Sequence, residues 1–149
     1  MLAAIVFDFD GIIVDSEPMH FRAFNEVLAP LQKSIAWEEY CDVYIGLDDR
    51  AAFREIFRQH GEAVCPRDLL RMIERKAGIF QTYVQQGEAK PLPGAVELIQ
   101  SIPARLPTAL CSGALRVDIA PILRTLGLQD AFGTMVTAED TERTGRPPP

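Results

Sequence analysis

Basic residues are the minority among the charges of this 149-residue chain: 15 Lys and Arg stand against 21 Asp and Glu, for a formal net charge of −6. Nucleic-acid binders carry a basic footprint, so no nucleic-acid partner is expected. Cysteine is sparse. Cys41, Cys65 and Cys111 are odd in number and widely spaced, which speaks against a disulfide framework or a zinc site. They read as reduced packing thiols of a cytoplasmic protein. No apolar run reaches the length of a membrane span, and the N-terminus carries acids early with no basic leader region. Neither a membrane partner nor a signal peptide is expected. Internal repeats and low-complexity segments are missing too, apart from the terminal Pro147-Pro148-Pro149.

What remains is a composition ordinary for a soluble globular protein, 48% hydrophobic and 24% charged. Its most informative stretch is the beginning. Leu2 to Phe7 are almost all apolar and read as a fully buried strand of a parallel sheet. The run ends in Asp8-Phe9-Asp10-Gly11. Residues two apart on extended chain point to the same side, so Asp8 and Asp10 are brought together where the strand emerges. The carboxyl ends of strands are where ligands bind in open α/β sheets. Two acids there repel unless a cation or a shared proton relieves them.

The pattern then turns helical. Ser16 can cap, Pro18 suits a first turn, and Phe21, Phe24, Val27, Leu28 and Leu31 recur at helical spacing up to Pro30. Trp37 to Ile45 predicts a short helix ending at Gly46, and Asp48 or Asp49 starts another that stops near Gly61. Pro66 to Gln86 predicts the longest helix, with Leu69, Ile73, Ala77, Phe80 and Val84 on one stripe and Gly78 weakening it. A turn cluster at Lys90 to Gly94 marks a boundary. Helix over Ala95 to Ile102, strand over Thr108 to Cys111, helix over Leu115 to Leu126 and strand over Thr134 to Thr137 follow. Strands alternating with helices imply a parallel sheet. The expected fold class is α/β: a Rossmann-like parallel core from residues 1–15 and 88–149, interrupted by an α-helical cap over 16–87.

With these motifs in place, the chain resembles the haloacid dehalogenase superfamily, in the branch of small phosphatases and β-phosphoglucomutase with a helical cap. Asp8-Phe9-Asp10-Gly11 with Asp15-Ser16-Glu17 matches the first motif of that family, and Ser112 after its strand matches the second. Leu92 to Leu98 resembles the return from cap to core. The resemblance implies a Mg²⁺-dependent phosphomonoester hydrolase acting on a small, sugar-like phosphorylated metabolite. Asp8 would be the nucleophile, forming an aspartyl-phosphate, and Asp10 the general acid and base. Mg²⁺ would be held by Asp8 and Asp10. Ser112 with the amides of Gly113 and Ala114 would bind the phosphoryl oxygens, and Arg146 would supply the positive charge of the third motif. Glu17, His20, Gly46 and Arg50 fall where cap residues of this branch meet substrate. For Ser112, a plain helix cap accounts for the residue equally well, and for Arg50 an exposed helix arginine does.

Two departures from the family pattern stand beside these matches. Arg146 occupies the place of a lysine, and an arginine is no neutral replacement at a tight site. The acids of the fourth motif are absent from the sequence, and Glu139 and Asp140 could replace them only by rearrangement. The expectation is a truncated or frame-disrupted phosphatase-like chain of reduced activity. Its first strand would form an exposed apolar edge prone to self-association. The rival readings are phosphoryl transfer of the β-phosphoglucomutase type and a catalytically dead module binding a phosphorylated ligand or partner. A receiver-type signalling domain is disfavoured by the helical insertion.

Overall fold

A computed structural model describes residues 2–140. They divide into two compact units, one made of residues 2–17 and 83–140 and one of residues 18–82. In the first unit, strands β1 (Ile5–Phe7), β4 (Thr108–Cys111) and β5 (Thr134–Val136) form a three-stranded sheet in the order β1-β4-β5. Both pairings are parallel, with Phe7 opposite Leu110 and Cys111 opposite Val136. A two-stranded antiparallel ribbon joins β2 (Val14–Asp15) to β3 (Lys90–Pro91), a pairing the sequence pattern did not suggest. Helices α5 (Ala95–Ser101) and α6 (Arg116–Thr125) connect the strands. Ile99, Leu110, Ile119, Ile122, Leu123 and Leu128 are buried.

The first strand is shorter than the expected run, and it is open as the exposed-edge expectation has it, not buried on both faces. It spans three residues rather than six, and Val6 is 65% exposed. The reason is topological: among the described residues β1 pairs with β4 alone, so its outer edge has no neighbour. Phe7 instead finds an edge-to-face contact with Phe132, ring centroids 5.9 Å apart.

The helical unit takes in most of α1 (Glu17–Leu28), then α2 (Trp37–Glu39), which runs on as a π-helix over Tyr40–Tyr44, α3 (Asp49–Gln59) and most of α4 (Pro66–Gln85). Asp48 caps α3 by accepting the Ala51 amide at 2.7 Å. Phe24, Leu28, Tyr44, Phe53, Ile56 and Leu69 are among the residues of one shared apolar core. The buried stripe of α4 differs from the expected one: Leu69, Met72, Lys76 and Phe80 point inward, and Ala77 is exposed. Leu69, Phe80 and Val84 are buried as expected; a lysine occupies the inward position between them, which is why an apolar count chose Ala77 in its place. The thiols also differ from expectation. They are unbridged, but Cys65 and Cys111 are exposed rather than packed. No helix among the described residues is long and apolar enough to cross a membrane.

Candidate active site

The site is built at the C-terminal end of the parallel sheet. Asp8 follows the last residue of β1, and Ser112 follows the last residue of β4. Because these strands are adjacent and parallel, the two side chains leave the same edge of the sheet, the edge where α/β folds take ligands. Backbone alternation does the rest. Phe9 is buried in the core at 1% exposure, Asp8 is exposed and Asp10 half-buried. A buried aromatic between two acids thus turns both carboxylates away from the core.

Gly11 closes the loop after the acids. Its φ of +73° is left-handed, a conformation that costs a glycine nothing. Its amide donates to the Val14 carbonyl at 2.8 Å, and the Phe9 carbonyl accepts the Ile13 amide at 2.9 Å. The buried side chains of Ile13 and Val14 then anchor the chain on its return.

The two acids have different surroundings. Asp8 Oδ1 accepts the Phe9 amide at 2.7 Å. Asp10 is pushed above the usual carboxylate range, first by burial, against the pull of the Ser16 hydroxyl, with further upward pushes from the charges of Glu17 and Asp8. Ser16 is buried, and its hydroxyl donates to Asp10 Oδ1 at 2.5 Å. Sequence pattern alone made Ser16 a helix cap; the structure adds a bond from its hydroxyl to Asp10.

Ser112 is buried, and its amide donates to the Val136 carbonyl at 3.0 Å. Its Oγ accepts the Ala114 amide at 3.0 Å, so that amide is already engaged within the loop. Helix α6 starts at Arg116, after Gly113 and Ala114 rather than at them. Glu139 and Asp140 are committed as well. Glu139 accepts the Arg116 amide at 3.0 Å and the Thr137 hydroxyl at 2.7 Å. Asp140 accepts the Thr137 amide at 2.8 Å and the Arg116 guanidinium at 2.9 Å.

The structure therefore brings Asp8, Asp10, Ser112, Gly113 and Ala114 to one sheet edge, with Glu17 opening α1 a few residues on. Arg146 lies outside the described residues. His20, Gly46 and Arg50 belong to the helical unit: Gly46 is exposed at the end of the π-helix, and Arg50 is exposed on α3. His20 sits in a polar cluster that sequence reasoning missed. Lys76, 3% exposed, is paired with Asp49, donates to His20 Nδ1 at 3.0 Å and lies over the Phe24 ring at 4.3 Å. The His20 ring stacks on Phe80 at 4.2 Å. Burial, and then the Lys76 charge, lower the His20 pKa to about 3, so the imidazole is neutral. The signal for Lys76 was present: it stands seven residues after Leu69 and four before Phe80, on the apolar face.

A parallel sheet crossed by helices, with a carboxylate pair at its C-terminal edge, is a Rossmann-like α/β scaffold with a ligand-binding edge. The family model for haloacid dehalogenase-like hydrolases matches residues 5–149, and the chain belongs to that family. Among sequence relatives, the phosphorylated carbohydrates phosphatase of Thermotoga maritima is 26% identical over 154 residues, covering 99% of this chain and 66% of that protein. Among solved structures, CbbY of Rhodobacter sphaeroides superposes with a TM-score of 0.80 at 23% identity, covering 97% of this chain and 67% of the other. The β-phosphoglucomutase of Clostridium difficile gives 0.79 at 20% identity, covering 96% and 65%. The chain thus spans about two thirds of the length of these relatives.

Proposed function

We propose that this chain carries the chemistry of a phosphomonoester hydrolase acting on a small, sugar-like phosphorylated metabolite through an aspartyl-phosphate at Asp8. The observation that carries this reading is the division of labour between the two acids: one exposed carboxylate, and beside it one raised toward the protonated form by burial. That is how a fold runs nucleophilic and acid–base roles with the same residue type. The Thermotoga relative, named for phosphorylated carbohydrates, supports the substrate class.

In the first step an Asp8 carboxylate oxygen bonds to phosphorus as the ester P–O bond breaks, and the Asp10 carboxylic proton goes to the leaving oxygen. In the second, Asp10 takes a proton from water, the water oxygen bonds to phosphorus, and the Asp8 oxygen departs. Ser112 and the loop after it receive the phosphoryl oxygens.

The donor set also suits Mg²⁺. Mg²⁺ is held by one or two carboxylates, with waters and substrate phosphate completing its shell. The Asp8 carboxylate and the Asp10 backbone carbonyl would provide two oxygen ligands, which leaves the Asp10 carboxyl to carry its proton; no cluster of three candidate ligands exists among the described residues. Asp8, with Asp10, would hold the ion, which when bound neutralises phosphate charge. The test is turnover of an aryl phosphate and a panel of sugar monophosphates with added Mg²⁺. Release of phosphate that disappears in Asp8→Asn is expected. Equal release by both proteins, or none by either, refutes the reading. Isomerisation of a sugar phosphate without net release would turn it to the mutase chemistry.

A further inference from the structure

The loop at Ser112 is tied to the end of the third strand by a polar network that the hydrolase reading does not use. Thr137 follows β5 as Ser112 follows β4, and its side chain is fully buried. Its hydroxyl lies 2.7 Å from Glu139 Oε2 and 2.9 Å from Asp140 Oδ2. These carboxylates do not face solvent unoccupied. Glu139 Oε2 also accepts the amide of Arg116, the first residue of α6, at 3.0 Å. Asp140 Oδ2 also accepts the Thr137 amide and the Arg116 guanidinium, and that guanidinium reaches the Met135 carbonyl at 3.0 Å. The main chain joins the same two segments: the Ala138 amide donates to the Ala114 carbonyl at 3.1 Å, and the Ser112 amide to the Val136 carbonyl at 3.0 Å.

We propose that Arg116, Thr137 and Asp140 are positioning residues that fix the Ser112–Ala114 loop for an incoming phosphoryl group. The proposal rests on the hydrolase reading and extends it. A helix start normally offers its first amides to an anion. Here the first amide of α6 is capped by Glu139 from 23 residues away, so anion binding is left to the loop ahead of the helix. That loop holds few internal bonds, and its geometry is set by what it is tied to. The Arg116–Asp140 pair is half-exposed, at 48% and 43%. Such pairs contribute little to stability, so loss of the pair acts on loop placement and not on folding.

The experiment compares wild type with Arg116→Met, Arg116→Lys and Thr137→Val, measuring KM, kcat, inhibition by inorganic phosphate, thermal melting and hydrogen exchange of the 112–118 segment. For Arg116→Met, KM and the phosphate inhibition constant should rise together by roughly tenfold or more, as expected when a binding group is displaced by a fraction of an ångström. kcat should change less, melting should barely move, and exchange in 112–118 should accelerate. Arg116→Lys should recover part of the loss, because an ammonium reaches Asp140 but not Met135 as well. Turnover in wild type with unchanged phosphate inhibition in Arg116→Met overturns the proposal and leaves the hydrolase reading standing. Absence of Asp8-dependent turnover in wild type removes the hydrolase reading, and the proposal with it. A melting loss that accounts for the whole effect, without recovery by lysine, also overturns it.

Discussion

Replacing Ser16 by alanine removes a single oxygen and isolates the acid–base role of Asp10. The Ser16 hydroxyl is buried and donates to Asp10 Oδ1 at 2.5 Å, within the short range of a bond to a charged acceptor. Such bonds contribute about 1.5–3 kcal/mol, and one pKa unit corresponds to about 1.36 kcal/mol. The neutral carboxyl retains part of the bond, so the differential effect is about one pKa unit upward. Burial already holds Asp10 above its ordinary value of 3.8, and Ser16→Ala should raise it further. Site-resolved carboxyl ¹³C titration reads this directly, without relying on turnover. In kinetics, the limb on which kcat/KM falls as Asp10 ionises should move to higher pH by the same amount. Stability gives a third reading. A carboxyl whose folded pKa is raised contributes stability below its unfolded value and loses it as pH rises through the folded one. The difference in stability between wild type and variant should therefore widen as pH rises above 3.8. An Asp10 titration that stays in place or moves down would refute the reasoning, because the hydroxyl would then not be favouring the ionised form.

Two further outcomes follow from the helical unit and the sheet edge. His20 is neutral in the folded state, with its pKa lowered to about 3 from 6.5, so its contribution is complete above pH 6.5 and lost as pH falls toward 3. Between those values stability should fall with acidification at a slope approaching about 1.4 kcal/mol per pH unit from this residue; urea unfolding of His20→Phe should show that slope removed, and parallel pH profiles would contradict it. At the open edge of β1, Val6 should promote self-association of the wild type, and Val6→Lys should disperse it, as charge on an edge strand does. Sedimentation showing a wild-type monomer at high concentration would sink the edge-pairing proposal.

The elements that were legible in the sequence are those whose signal is local. β4 was placed to the residue because an apolar run ended in Ser112-Gly113, and α3 because Asp48 carries a capping side chain. The acid pair was legible for the same reason: the apolar run of β1 leads directly into Asp8-Phe9-Asp10-Gly11. What the sequence hid was non-local. The β2–β3 ribbon pairs residues some 75 positions apart. Lys76 was hidden by convention, since a lysine on an apolar stripe is counted as a break in it.

Lys76 also shows why that convention fails. A buried ammonium is tolerated only when its charge is met, and here Asp49, the His20 ring nitrogen and the Phe24 ring meet it from two helices, α3 and α1. None of the partners reads as a lysine's partner when taken alone: Asp49 reads as a first-turn acid, His20 as a cap residue facing substrate, Phe24 as core. Ser16 follows the same logic in the other unit, where a residue with good capping chemistry donates its hydroxyl to the half-buried Asp10. In both cases the side chain's role is set by the buried charge beside it. The residues that sequence patterns misassign are therefore those next to buried ionisable groups, the same positions at which the substitutions above should have their largest effects.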